Sequence, residues 1–437
     1  MERYDSYKDS GVDWIGQIPE HWNQLQLKYL VSCNDDVLPE STKNQLIKYV
    51  EISDVDSTSG IKQFTIYNFA DAPSRARRIT NIGDIIVSTV RTYLKAIARV
   101  DQDDFVVSTG FAVLRAKNIN RNFLFYSLLN EAFLQQVIAY SYGVSFPAIT
   151  SKELLRIKLN IPPFSEQQAI AAYLDKETRK LDAAVETLER MVEVLKERKQ
   201  LIISKAVTRG LDDSVPLKDS GLEWIGQIPE HWSINRFKAI FTLNTGISFT
   251  KADLVETGQP VISYGQVHSK LNQVAKANLS LIKYIPQSLT IGKQKSYCLP
   301  NDFIFADTSE DFEGCGNNFY NDSELSVFAG SHTILAKLRC NIEGKYLAYL
   351  FSTSLWRQQI RSRVNGVKVF SVTQSILKAT SVILPPIAEQ QAIAAYLDEK
   401  VGKLDEAIEK QLRMIELLKE RKQILISDVV TGKIKVA

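Results

Sequence analysis

Residues 166–208 read EQQAIAAYLDKETRKLDAAVETLERMVEVLKERKQLIISKAVT, and residues 389–431 read EQQAIAAYLDEKVGKLDEAIEKQLRMIELLKERKQILISDVVT, one segment repeated at a constant offset of 223. In the first copy Leu174, Leu181, Leu188, Leu195 and Ile202 recur every seven residues, with Val185 and Val192 four beyond a preceding leucine. That is the a/d spacing of a coiled-coil seam. In the second copy Leu397, Leu404, Leu418 and Leu425 take the d-type places and Val401, Ile408 and Ile415 the a-type places. Gln411 interrupts d, while Lys199 and Lys422 interrupt a. Each copy alone exposes an apolar stripe, and a chain with two such stripes covers both by laying one helix antiparallel along the other. About 43 residues at about 1.5 Å each make a rod on the order of 65 Å, long enough to be a spacer.

A second repeat opens each half. KDSGVDWIGQIPEHW at residues 8–22 returns as KDSGLEWIGQIPEHW at 218–232, an offset of 210, and holds four of the five tryptophans. Offsets of 210 and then 223 describe a duplication whose halves share their ends and differ by 13 residues between them. Residues 16–19 and 226–229 read as turns, with Trp14, Ile15, Ile18 and Trp22 as apolar anchors that pack rather than touch a ligand. The middle of the first half alternates short β-branched runs (LIKYVEISDV, GDIIVSTV, DDFVVSTGFAVLRAK) with polar turns and ends in a helical piece, NFLFYSLLNEAFLQQVIAYS. The second half echoes it with PVISYGQV, NDFIFADT, SVFAGSHTILAKL and then KYLAYLFSTSLWRQQIRSRV. Gly366 follows Gly143 at the same offset of 223. Between matching strands the loops are dissimilar: VRTYLKAIARV in one half, ADTSEDFEGCGNNFY in the other.

The fold class expected is therefore α+β: two globules separated by an antiparallel two-helix coiled coil, pseudo-two-fold. The order motif, globule, helix, motif, globule, helix is also pseudo-cyclic. The first helix runs through a short linker at 210–220 into the second tryptophan motif, so the second helix should return to the first, with Trp22 near Thr431.

At 437 residues, 45% hydrophobic and 24% charged, the chain is long enough for two or three units with sizeable cores. A net charge of +3 is too small to mark a nucleic-acid binder by itself, so any such surface must be local. Cys33, Cys298, Cys315 and Cys340 show neither CxxC pairing nor histidine at metal-ligand spacing, which fits a reduced cytosolic setting without a zinc site or disulfide framework. MERYDSYKDSG is polar, and nowhere do about 18 uncharged apolar residues run together, so export and membrane spanning are not expected.

Catalytic motifs are absent. IPPF at 161–164 and LPPI at 384–387 put Ile or Leu where an amino-methyltransferase needs a polar residue before its two prolines to accept from a base's amino group. Pro-Pro reads better as the stop of a strand, followed by a helix start with Glu166 near the positive end of the dipole. No glycine-rich loop suits S-adenosylmethionine, and no P-loop or nuclease pattern is present. His21 and His231 read as packing beside Trp22 and Trp232, His268 and His332 as satisfied surface histidines, and the KERK runs at 196–199 and 419–422 as solvated faces. The residue mix that neutralises phosphates occurs at SRARR (74–78), RTYLK (91–95), GKQKSY (292–297) and RSRVNGVK (361–368).

With EQQAIAAYLD opening a long helix twice, each time after a globule introduced by GQIPEHW, the chain resembles the DNA specificity (S) subunit of Type I restriction-modification systems over nearly its whole length. The resemblance implies a tryptophan motif (1–22), a first target recognition domain (23–161), a conserved helical region (162–210), a linker with the repeated motif (211–232), a second recognition domain (233–383) and a second helical region (384–433). It implies a cytoplasmic, non-catalytic subunit that reads a bipartite, asymmetric site in double-stranded DNA. Its partners would be two methyltransferase (M) subunits and restriction/translocase (R) subunits. No cofactor would sit in this chain, since S-adenosylmethionine and ATP/Mg would belong to those partners. Candidate base readers in the variable loops are Arg75, Arg77, Arg78, Arg91, Thr92, Tyr93 and Lys95, then Tyr264, Gln266, His268, Lys293, Lys295 and Ser309. The rival readings are a coiled-coil scaffold that reads no DNA, and a fused enzyme with its own catalytic site.

Overall fold

The computed structural model describes residues 2–12, 15–39 and 45–436, so Trp14 lies outside the described residues. The chain forms two compact units, one of residues 1–189 with 412–437 and the other of residues 190–411. Both long helices are present, Phe164–Arg209 and Ile387–Val430. The strands Lys158–Ile161 and Ser381–Leu384 stop directly before Pro162 and Pro385, because proline has no N–H for a sheet ladder. No helix among the described residues is long and apolar enough to cross a membrane.

The first unit stacks helices on a sheet on a second sheet. One antiparallel sheet runs in the order Ile97–Arg99, Ile85–Ser88, Phe111–Ala116, Val31–Cys33. The other runs Thr65–Asn68, Leu46–Val50, Phe105–Ser108, Ala76–Ile79, with its two central strands parallel. Side chains alternate across a strand, so Ile85 and Val87 pack on the helices Arg121–Leu129 and Glu131–Ala139 while Ile86 packs on the second sheet. The segment expected as one helical piece is broken at Asn130, whose side chain accepts from Ala132 N at 2.9 Å and caps the second helix.

The second unit repeats this with different residues. Its sheets run Phe241–Thr245, Thr333–Leu338, Phe303–Ala306, Asn318–Tyr320, and Lys283–Ile285, Gln259–Ile262, Val327–Ala329, Tyr297–Cys298, again with a central parallel pair. Phe303 and Phe305 face the helices Gly344–Ser352 and Ser354–Arg361, while Ile304 and Ala306 face the second sheet.

Each unit also contains a stretch of both long helices, paired antiparallel. In the first unit Lys422 Nζ lies 2.7 Å from Asp182 Oδ1 and Lys419 Nζ 3.1 Å from Glu189 Oε1. In the second, Lys199 Nζ lies 2.6 Å from Asp405 Oδ1. The lysines that break the a positions are therefore not on a solvated face. Each bridges to an aspartate on the opposite helix, and Lys422 is only 8% exposed. A polar pair in an apolar seam costs stability but favours the register that satisfies it.

The tryptophan motif folds differently from a simple turn. Gln17–Pro19 is a strand paired with Tyr7–Asp9, and Gln227–Pro229 pairs with Leu217–Asp219. Behind this hairpin Trp22 is fully buried in one core with Ile426, Val429 and Val430, and Tyr7 Oη donates to the Gly432 carbonyl at 3.1 Å. Trp22 and the end of the second long helix meet, as the pseudo-cyclic order requires.

Candidate nucleic-acid interface

In the first unit two loops emerge side by side above the helix-facing sheet. One, residues 90–95, leaves the strand Ile85–Ser88; the other, residues 140–148, leaves the helix Glu131–Ala139. Thr92 Oγ1 and Ser141 Oγ are 2.8 Å apart, Thr92 N donates to Pro147 O at 3.4 Å, and Val90 bridges Ala148. The Arg91 guanidinium lies 4.9 Å above the Phe146 ring, and Lys95 Nζ donates to Glu131 Oε1 at 2.6 Å. Burial raises the Glu131 carboxyl, but bonds from Lys95 and Gln135 outweigh it and hold the group below its usual range. Around this joint Tyr93, Tyr142 and Phe146 stay exposed. A cation among exposed rings suits phosphates and bases.

The second unit holds the same joint. Thr308–Ser309 pairs with Phe370–Ser371, and Phe312 packs edge-on against Phe370 at 5.6 Å. Beneath runs a polar relay. Arg357 Nη1 donates to Asn317 Oδ1 at 2.6 Å, Asn317 Nδ2 faces His268 Nδ1 at 3.1 Å, and His268 Nε2 faces the Thr308 carbonyl at 2.9 Å. In this pattern His268 Nε2 donates to the carbonyl and Nδ1 accepts from the amide. Burial, then the neighbouring Arg361 charge, lowers the Arg357 pKa to about 10. The loop here carries Glu310, Asp311 and Glu313. Glu313 pairs with Arg361 at 2.8 Å, and Asp311 Oδ1 accepts from Gly314 N at 2.5 Å.

The sequence candidates fall into three groups. Arg91, Tyr93 and Lys95 meet at the first joint with Thr92, whose buried hydroxyl is part of the joint itself. Arg75, Arg77 and Arg78 lie on or beside the strand Ala76–Ile79 of the other sheet: Arg75 pairs with Glu51, Arg77 stacks on Phe69 at 4.7 Å, and Arg78 donates to Asn34 Oδ1 at 2.7 Å. In the second unit the side chains of Gln266 and His268 are spent on internal bonds, to Ser263 N at 3.1 Å and to Thr308 and Asn317. Tyr264 packs on His268 with ring centres 4.7 Å apart, and Ser309 is buried. Lys293 and Lys295 are exposed, Lys293 directly before the short turn Gln294–Ser296 and Lys295 within it. Sequence reading did not single out the exposed loop residues Tyr142, Val144, Phe146 and Val367, although the shared offset of Gly143 and Gly366 marked their loops.

A second twinned arrangement lies at the helix starts. Trp22 Nε1 donates to Glu166 Oε1 at 3.1 Å, and His21 Nε2 lies 2.9 Å from Glu166 Oε2. In the other unit Trp232 Nε1 donates to Glu389 at 3.2 Å, with His231 Nε2 at 2.8 Å. The histidines expected merely to pack thus share a carboxylate with the indoles, and Tyr4 Oη adds a further donor to Glu166.

Comparison with known proteins fits this doubled plan. The family model described as the Type I restriction modification DNA specificity domain matches residues 22–192 and again 229–417. The chain is 23% identical over 337 residues to the Type I restriction enzyme MjaVIII specificity subunit of Methanocaldococcus jannaschii, across 76% of this chain and 75% of that one. It is 22% identical over 213 residues to the Type I restriction enzyme EcoKI specificity subunit of Escherichia coli, across 48% and 44%. A chain solved in work on complex assembly and conformational transition of the type I R-M system shares the fold, with a TM-score of 0.69 at 22% identity, covering 95% of this chain and 99% of that chain.

Proposed function

This chain belongs to the Type I restriction modification DNA specificity family, and from that premise we propose that it reads a bipartite, asymmetric site in double-stranded DNA, one half-site per loop joint, on behalf of two methyltransferase subunits. It is a specificity subunit and not a catalyst. The observation that carries the reading is the loop joint, built alike in both units and furnished with unlike side chains: Arg91, Tyr93 and Lys95 in one, Glu310, Asp311 and Glu313 in the other. Arginine forks onto guanine edges, and carboxylates accept from cytosine amino groups, so unlike loops favour unlike half-sites. Among the residues first named, Arg91 and Tyr93 take precedence for base or phosphate contact, with Lys293 and Lys295 as phosphate contacts, while Lys95 is paired with Glu131.

Two equivalent docking places are supported by apolar side chains left exposed on the long helices. Met191, Val194 and Leu201 are 45%, 61% and 70% exposed in the second unit, and Met414, Leu417 and Ile424 are 43%, 50% and 53% exposed in the first. They are the same positions at the offset of 223, which suits two copies of one partner. Restriction/translocase subunits would join that complex.

The test is to map methylated adenines in DNA from cells carrying this chain and its methyltransferase. Two half-sites at one fixed spacing are expected, and one added heptad in both helices should widen the spacer and leave the half-sites alone. Methylation without sequence preference would leave the scaffold reading instead.

A further inference from the structure

Each loop joint ends in a tip that neither the family match nor the basic residues explain. Val144 is 102% exposed and Val367 is 96% exposed, so both side chains stand wholly in water. They are twins at the offset of 223, each directly after a glycine, within loops whose other residues differ: YGVSFPA against NGVKVFS. A branched apolar side chain gains nothing from that position in the free protein. Its burial against an apolar partner group would be favourable.

The tips are also stiff. Tyr142 and Ala148 exchange both backbone bonds at 2.9 Å, closing the first loop. Gly143 sits at φ 107° and Gly366 at φ 150°, and a Cβ on Gly366 would stand 2.1 Å from the Val369 carbonyl oxygen. The second loop is pinned by the pairing of Thr308 with Ser371 and by Val372 N donating to Asp307 O at 2.7 Å. A closed, glycine-dependent loop that holds valine outward is a preorganised apolar probe. Arg91 over Phe146 lies beside the first probe, and exposed Lys368 follows the second directly. Cations beside an apolar tip suit a groove lined by phosphates. The one apolar group a B-form major groove displays is the thymine 5-methyl.

We propose that Val144 and Val367 are specificity residues, each packing on a thymine methyl in its own half-site. The inference rests on the DNA-reading function above and adds the base feature that each tip detects. The contact is purely apolar, so it has no counterpart in the arginine and lysine candidates.

The experiment uses the complex of the full chain with its methyltransferase, bound to its cognate duplex with each thymine replaced in turn by deoxyuridine, which removes only the methyl. One uracil position per half-site should weaken wild-type binding about three- to tenfold, the range expected for one buried methyl contact. Val144→Ser should bind cognate DNA equally weakly and be indifferent to uracil at that position in one half-site. Val367→Ser should do the same in the other half-site, and Val144→Ile should restore the methyl dependence. Unchanged unfolding midpoints would confirm that the exposed substitutions leave the fold intact. The inference is overturned if wild-type binding ignores every uracil, or if the serine and uracil losses simply add. It is also overturned if both variants bind as wild type while the complex still prefers cognate over random duplex. A wild-type complex with no such preference would instead remove the DNA-reading function itself.

Discussion

The loop joint and the helix clamp occur once in each unit, yet they diverge to very different degrees. At the clamp, Trp22, His21 and Glu166 are matched residue for residue by Trp232, His231 and Glu389, with indole-to-carboxylate distances of 3.1 and 3.2 Å. At the joint, the loop of residues 91–95 carries two cations and no acid, while residues 307–316 carry four acids and no cation. The clamp's indoles are buried and its half-exposed histidines are tied to the same carboxylates, so each side chain there is fixed by the volume or the bonds of its neighbours. The loops face water, so they can change charge without disturbing the sheets below. A doubled frame has kept its chemistry where packing and bonding demand it and diverged where side chains face water.

The comparison can be broken most forcefully at the clamp. Trp22→Ala and Trp232→Ala should each cost about 3–5 kcal/mol, and by similar amounts, in urea unfolding followed unit by unit with hydrogen exchange. A difference of more than about 2 kcal/mol would mean the two clamps are not equivalent, against their matched geometry. The joint should behave in the opposite way. Arg91→Ala should relax recognition at one base of one half-site by about 1–3 kcal/mol and leave the other half-site untouched in methylation maps. A uniform loss over all sequences would reassign Arg91 to phosphate.

Smaller effects sharpen the picture. Lys199→Leu and Lys422→Leu each fill an a position and leave a solvent-accessible aspartate behind, so each should shift stability by less than about 1 kcal/mol. Both should loosen the register, read as broader exchange along the paired helices. The mildest effect concerns Glu131, whose carboxyl is held down by Lys95 and Gln135 against the opposing effect of burial. A lowered folded pKa means that its stabilisation is present above the ordinary glutamate range and is lost as pH falls through the lower folded value. The group is largely exposed, so Lys95→Ala should remove only a few tenths of a kcal/mol. Its signature is the loss of that acid-side dependence in thermal unfolding.

Much of this could be read from the chain alone because repetition is a strong signal. The heptads at Leu174 to Ile202 placed the first long helix to within two residues at each end, and the prolines at 162 and 385 stopped their strands as expected. The single helical piece before Gly143 was misjudged because Asn130 caps a second helix within an unbroken apolar pattern. The hairpin at Gln17–Pro19 was missed because two short strands of mixed polarity carry no alternation to detect.

Periodicity and offset alone settled that there are two α+β repeats, each ending in a long seam-bearing helix, since these are properties of spacing along the chain. Only the folded arrangement decided what the individual polar and exposed residues do. Ser309 lies inside, His268 is spent on a relay, and Lys422 bonds Asp182 across the seam. Val144 and Val367 point into water although nothing in their residue type says so. A side chain's role depends on what lies opposite it in space, and that neighbour comes from residues distant along the chain.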